Sequence, residues 1–272
     1  MLPPRARAAV AVAAATVVAV AAAVGISSAG DGPDVVRAER PARATLPDEP
    51  PVPSTPCRMG GPTGPLFLTG DQAREVTTAA ADVHRRRSAQ DRLAAVVAVA
   101  LDQPPATARH VAGTLLGMGR AERLSCHVLR DVVTPEEPGR NGLVPRAQVL
   151  RRAWTRHFGP LPAGGFAAGG VSSGHVDSSS HYDGRAVDVF FRPLGNAAQA
   201  RRGWVFAQWL AAHADEYDVL SVIYADRIWT SWASGAGWRP YVHPSGNRRN
   251  PVLRHLDHVH VAVESGRRYR GR

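Results

Sequence analysis

The stretch SSSHYDGRAVDVFF, residues 178 to 191, constrains the fold most, because it carries an aspartate into an otherwise apolar strand. Side chains alternate along a strand, so Ala186, Asp188 and Phe190 face one side while Val187, Val189 and Phe191 face the other. Asp188 is therefore placed among apolar residues, where an ionised carboxylate is costly unless a positive group compensates it. His181 stands just upstream, across a turn that Gly184 can make tight, and can converge on the same point. Toward the C-terminus LDHVHV places His258 and His260 on one face of a second short strand, with Asp257 at its entry. Two histidines and a carboxylate meeting from separate strands match an open zinc site, in which three protein ligands leave a fourth position for water. The bland alternative is an arginine paired with Asp188 and a polar histidine stripe on an edge strand.

The remaining chain frames that pattern. Residues 1 to 29 read as an export signal or N-terminal anchor: Arg5 and Arg7 precede an apolar run from Ala8 to Val24, and Ser27 and Ala29 are small. Residues 30 to 65 read as a linker rich in proline and alanine, too poor in large apolar groups to collapse. A small helical domain is expected over residues 66 to 133. TGDQ at Thr69 to Gln72 fits a capping box, a second helix spans Ala89 to Leu101, and Pro104 and Pro105 stop it. TPEEPGRNG, residues 134 to 142, carries the turn chemistry of a boundary. Residues 144 to 272 then mix helices (145 to 158, 197 to 213) with strands (185 to 191, 219 to 225, 258 to 263), giving an α+β fold rather than a regular parallel repeat.

Cys57 and Cys126 are the two cysteines of the chain, and in an exported protein two lone thiols most simply pair. The formal net charge is +10, with every basic residue an arginine. Those arginines are spread over helices and termini without a compact basic and aromatic module, so nucleic acid is not the expected partner. Outside the cell, anionic wall polymers and membrane surfaces are the candidates for such charge. His175 and Asp177 compete as metal ligands but sit in a glycine and serine loop. The serines 178 to 180 lack the elbow of a nucleophilic serine. Trp229, Trp232 and Trp238 read either as a groove lining or as packing.

SSHYDGRAVDV with LDHVHV resembles the zinc peptidases that share the D-alanyl-D-alanine carboxypeptidase, L,D-endopeptidase and hedgehog-type fold, whose pattern SxHxxGxAxD is followed by a terminal ExxH or HxH. The likeness covers roughly residues 144 to 263. It implies a small antiparallel sheet with flanking helices, zinc held by His181, Asp188 and His260, and hydrolysis of cell-wall peptidoglycan peptides by a secreted or wall-associated monomer. Asp257 falls near the family's catalytic acid, although it is an aspartate rather than the usual glutamate. Strict alternation points it away from His260, which leaves His258 as the competing base. Ser179 occupies the family's serine position. The aromatic and arginine or glutamine pair that holds a substrate carboxylate in relatives is missing, since Phe166 is followed by Ala167. Arg185 and Arg227 are the candidates to replace it, and loss of the anchor favours an endopeptidase over a carboxypeptidase. A zinc-stabilised binding module of the same fold is the rival expectation.

Overall fold

The computed structural model describes residues 57 to 129 and 133 to 266, all within the compact unit that runs from Pro51 to Arg272. The expected export signal and most of the expected linker lie outside the described residues. The chain begins with β1 (Cys57–Gly60) and β2 (Pro65–Leu68), continues through α1 (Gly70–Val83), α2 (Ala89–Ala100) and α3 (Pro105–Leu115), and reaches β3 (Ser125–Cys126). There follow α4 (Pro145–Phe158), β4 (Ala163–Gly164), β5 (Ala186–Phe190), α5 (Ala197–Ala212), β6 (Val219–Tyr224), β7 (Arg227–Thr230), a 3-10 turn (Ser231–Ala236), β8 (Arg239–Pro240) and β9 (His258–Val263). Two antiparallel sheets result, one in the order β2-β1-β3 and one in the order β4-β5-β9-β6-β7-β8. The fold is α+β. No helix among the described residues is long and apolar enough to cross a membrane.

Two expectations about the first half are corrected. Residues 57 to 60 and 65 do not belong to a linker, and Leu66 to Leu68 are not helical: they form a hairpin whose turn closes by Gly61 N–H donating to Gly64 O at 2.7 Å. The buried side chains of Cys57, Met59 and Leu68 drive this pairing, and the glycine and proline between the strands masked it in the composition. Nor do α1, α2 and α3 build a core of their own. Their apolar faces join those of α4, α5 and the large sheet in one cluster. The buried amide of Gln208 on α5 shows why: it donates to the terminal carbonyls of α3 at Thr114 and Leu115 and accepts from Leu124 N–H at 3.0 Å. Carbonyls left over at a helix end need such partners, and here a neighbouring helix supplies them.

Local signals set the helix ends. Thr69 and Gln72 form the reciprocal capping box of α1, and Asn196 caps α5 by accepting from Ala198 and Gln199 N–H at 2.9 and 3.1 Å. At Gly203 any Cβ would strike the Tyr224 ring, so glycine lets α5 lie close on β6, where the Tyr224 hydroxyl donates to Ala200 O at 3.0 Å. The disulfide Cys57–Cys126 joins directly paired positions of β1 and β3.

The large sheet divides its two faces cleanly. β5 and β9 pair so that Val187 faces Val261 and Val189 faces Val259, all buried in the common core beside α5 residues such as Phe206 and Trp209. The alternate positions pair Asp188 with His260 and Phe190 with His258. Cross-strand partners project from the same side of a sheet, so one register delivers all four to the opposite face.

Candidate metal centre

Asp188 and His260 are direct partners on β5 and β9, with Asp188 Oδ1 to His260 Nδ1 at 3.2 Å. His181 arrives from the turn before β5, where Gly184 adopts φ +67° and its N–H donates to His181 O at 3.1 Å. Its Nε2 stands 3.1 Å from His260 Nδ1 and 3.4 Å from Asp188 Oδ1. Among the described residues, His181, Asp188 and His260 form a group that could hold a metal ion. Ligand atoms around a tetrahedral zinc, each about 2.0 to 2.2 Å from it, lie roughly 3.3 to 3.6 Å apart, within a few tenths of an ångström of the spacing here.

The proton positions strengthen the fit. His181 Nδ1 is 2.8 Å from the carbonyl of Gly165, which can only accept, so Nδ1 carries a hydrogen and Nε2 is the nitrogen that faces Asp188. An imidazole with its single proton on Nδ1 turns an Nε2 lone pair toward the carboxylate oxygen, an arrangement that a cation between them would satisfy, and a histidine whose other nitrogen donates to a backbone carbonyl is the usual form of a metal ligand. Burial works against ionisation of Asp188, yet the His181 and His260 imidazoles beside it hold its carboxyl far below the usual range. Burial likewise pushes the His260 imidazole down, favouring the neutral, ligating form.

Asp257 does not face this group. Its carboxylate accepts from Arg192 Nε and Nη2 at 2.8 and 2.7 Å and from His258 Nδ1 at 2.8 Å. Burial opposes its charge, but the hydrogen bonds from His258 and Arg192 hold its carboxyl below the ordinary value. With Nδ1 fixed as donor, His258 directs Nε2 toward the ligand group, 3.8 Å from Asp188 Oδ1. The two candidate bases thus have different places: His258 faces the metal group and Asp257 orients it from behind.

A family model described as VldE, C-terminal domain, matches residues 139–252. The matched stretch is similar to that domain and includes His181 and Asp188, but it ends before Asp257, His258 and His260. No curated protein and no solved structure matches the chain.

The remaining sequence candidates take other places. Ser179 Oγ accepts from His181 N–H at 3.3 Å and so supports the turn that carries the ligand. Arg185 donates to Val263 O and to Asp183, each at 3.0 Å, tying the start of β5 to the end of β9. Arg227 opens β7 and is exposed. Asp177 is exposed and outside the metal group, whereas His175 stacks on His181 with ring centroids 4.0 Å apart. Trp229 is buried and donates to Cys126 O, Trp238 donates to Leu124 O, and Trp232 is exposed under the Arg239 guanidinium.

His255 was missed in the sequence. It is buried, takes a left-handed φ of 53°, and packs its ring tilted against that of His258 at 4.7 Å and edge-on to that of His260 at 5.8 Å, centroid to centroid. Its backbone carbonyl holds Ala225 N–H in the β6–β7 turn, which locks the unusual conformation. Among the described residues Nδ1 meets no partner at hydrogen-bond distance, and burial, followed by the nearby His260 and His258, pushes its imidazole down to about 3. Three histidines in the sequence HLDHVH were the available signal.

Proposed function

We propose that this chain is an exported, zinc-dependent metallopeptidase of the hedgehog and D-alanyl-D-alanine peptidase fold type, hydrolysing peptide bonds of cell-wall peptidoglycan and favouring endopeptidase over carboxypeptidase action. The observation that carries the reading is one sheet face holding both the His181, Asp188 and His260 group and a histidine oriented by a buried aspartate. The disulfide fits an oxidising compartment outside the cytoplasm.

His181, Asp188 and His260 would hold the ion, which when bound supplies Lewis acidity toward a carbonyl and lowers the pKa of a water. The chain's own contribution is proton handling. His258 directs Nε2 to the space before the ligand group, where it accepts the proton of the attacking water and returns it to the departing amine. Asp257 keeps Nδ1 as the donor and stabilises the imidazolium that forms, and Arg192 keeps Asp257 ionised. His255, itself buried, packs against this histidine with ring centroids 4.7 Å apart.

Mass spectrometry of purified muropeptides after incubation with the protein tests the reading. New peptide fragments are expected with zinc, none with a chelator, and recovery on adding zinc back. A zinc-loaded protein that leaves every muropeptide intact would contradict it and favour a wall-binding module.

A further inference from the structure

The turn after α1 and the first turns of α5 gather more positive charge than nearby carboxylates answer. Arg85, Arg86, Arg109, Arg201 and Arg202 line a groove of about 540 Å³, whose one acid, Asp91, is already paired with Arg109 at 2.7 Å. A second groove, of about 440 Å³, shares Arg85 and Arg202 with the first and is walled at its other side by Phe190 and Arg192. Phe190 lies 5.8 Å from the His258 ring, centroid to centroid, and Arg192 holds Asp257, so the second groove borders the proton-handling residues.

Arg85 and Arg202 meet at an uncharged group. His84 Nδ1 donates to Ala81 O, so its Nε2 is an acceptor, and both Arg85 Nε and Arg202 Nε donate to it at 3.3 Å. Burial, then the adjacent Arg202 and Arg85, lowers the His84 pKa and keeps it neutral. Arg85 Nη2 is spent on Phe158 O and Arg202 Nη1 on Gln199 Oε1, leaving Arg85 Nη1 and Arg202 Nη2 with no acceptor among the described residues. Two guanidiniums drawn together without a carboxylate form a fork for an external anion.

We propose that Arg85 and Arg202 form a carboxylate-binding subsite for an acidic peptide that lies along the two grooves with its reacting end at Phe190. The choice of a peptide as occupant rests on the peptidase reading; the affinity for carboxylate does not. Arg201, exposed on the adjoining groove, extends the subsite to a second carboxylate.

Isothermal titration of the full zinc-loaded chain with an acetylated, amidated Ala-Glu repeat hexapeptide tests this without turnover. Binding is expected to weaken at least about tenfold for the Ala-Gln counterpart and in the double variant Arg85→Gln/Arg202→Gln. The exposed Arg201→Gln, which leaves the His84 pair intact, is expected to weaken it severalfold. Arg248→Gln/Arg249→Gln, in an exposed loop elsewhere, should leave it unchanged. Equal loss in that control, or unchanged binding in both subsite variants, would overturn the subsite. Tighter binding of a glycerol-phosphate oligomer than of the acidic peptide would overturn the occupant. Failure of muropeptide cleavage with this titration intact would remove the peptidase reading and leave the carboxylate site standing.

Discussion

Asp257 Oδ1 lies 2.8 Å from His258 Nδ1, so this carboxylate acts on the site through an imidazole rather than directly. An aspartate locked to Arg192 on its other oxygen fixes both the tautomer and the rotamer of His258. General acid and base groups contribute about 10² to 10⁴ in rate. His258→Ala is expected to lose kcat by that range on muropeptides while keeping its zinc. Asp257→Asn, which reverses the donor and acceptor relation, is expected to approach the same loss and to distort the pH profile. Asp257→Asn with full kcat would show that the tautomer is set elsewhere.

Gly165 supports His181 in two ways. Its carbonyl receives Nδ1–H, and its φ of +80° with no side chain leaves room for the ring, which a Cβ would strike. Gly165→Ala should therefore reduce zinc affinity by about 10-fold to 100-fold, the usual effect of disturbing a ligand's support, with the far-UV circular dichroism unchanged. Competition with a chromophoric chelator measures it, and wild-type affinity in this variant would deny the role.

The pH dependence of stability is expected to carry the mark of His213. This residue is buried, donates Nδ1–H to Trp209 O at 2.9 Å and stacks on the Trp209 ring at 4.3 Å. Burial lowers its pKa below that of an unfolded histidine, near 6.5. The folded state then binds fewer protons than the unfolded one, so the contribution is complete above about pH 6.5 and falls as the pH drops below it. Urea denaturation at pH 7.5 and pH 5 should show the advantage of wild type over His213→Gln shrinking at the lower pH. An advantage that grows on acidification would reverse the sign.

The Cys57–Cys126 bridge spans 69 residues of sequence and closes β1 onto β3. A loop of that size contributes about 4 kcal/mol by restricting the unfolded chain. Cys57→Ala/Cys126→Ala should lower the unfolding free energy by about that amount in guanidinium titrations, with the zinc content unchanged because both residues lie outside the metal group. Parallel loss of zinc would show that the small sheet supports the site.

Much of the frame was legible because it follows local rules. The capping box at Thr69 and Gln72, the proline start of α4 and the alternation of AVDVF and HVHVAV each state their structure within a few residues. The sharing of one face by Asp188, His258 and His260 also followed from alternation, given that β5 and β9 pair in the register observed. What escaped is non-local. The β6–β7 hairpin turns on Ala225 and Asp226 at φ 47° and 59°, with neither the Asn-Gly nor the Asp-Gly that usually announces such a turn. The strand at Cys57 depends on partners at Leu68 and Cys126, and the unity of the two halves depends on Gln208 reaching the end of α3. The place of Asp257 behind His258 required Arg192, whose position the strand pattern alone does not give.

Zinc content after dialysis against metal-free buffer, counted by inductively coupled plasma mass spectrometry, tests most directly whether His181, Asp188 and His260 hold a metal. Wild type, His255→Ala and His258→Ala are expected to retain about one zinc per chain, as a three-ligand site would. His181→Ala, Asp188→Ala and His260→Ala are each expected to lose it while remaining folded by circular dichroism. Full zinc in those three variants, or none in wild type, would contradict the metal centre and the chemistry built on it.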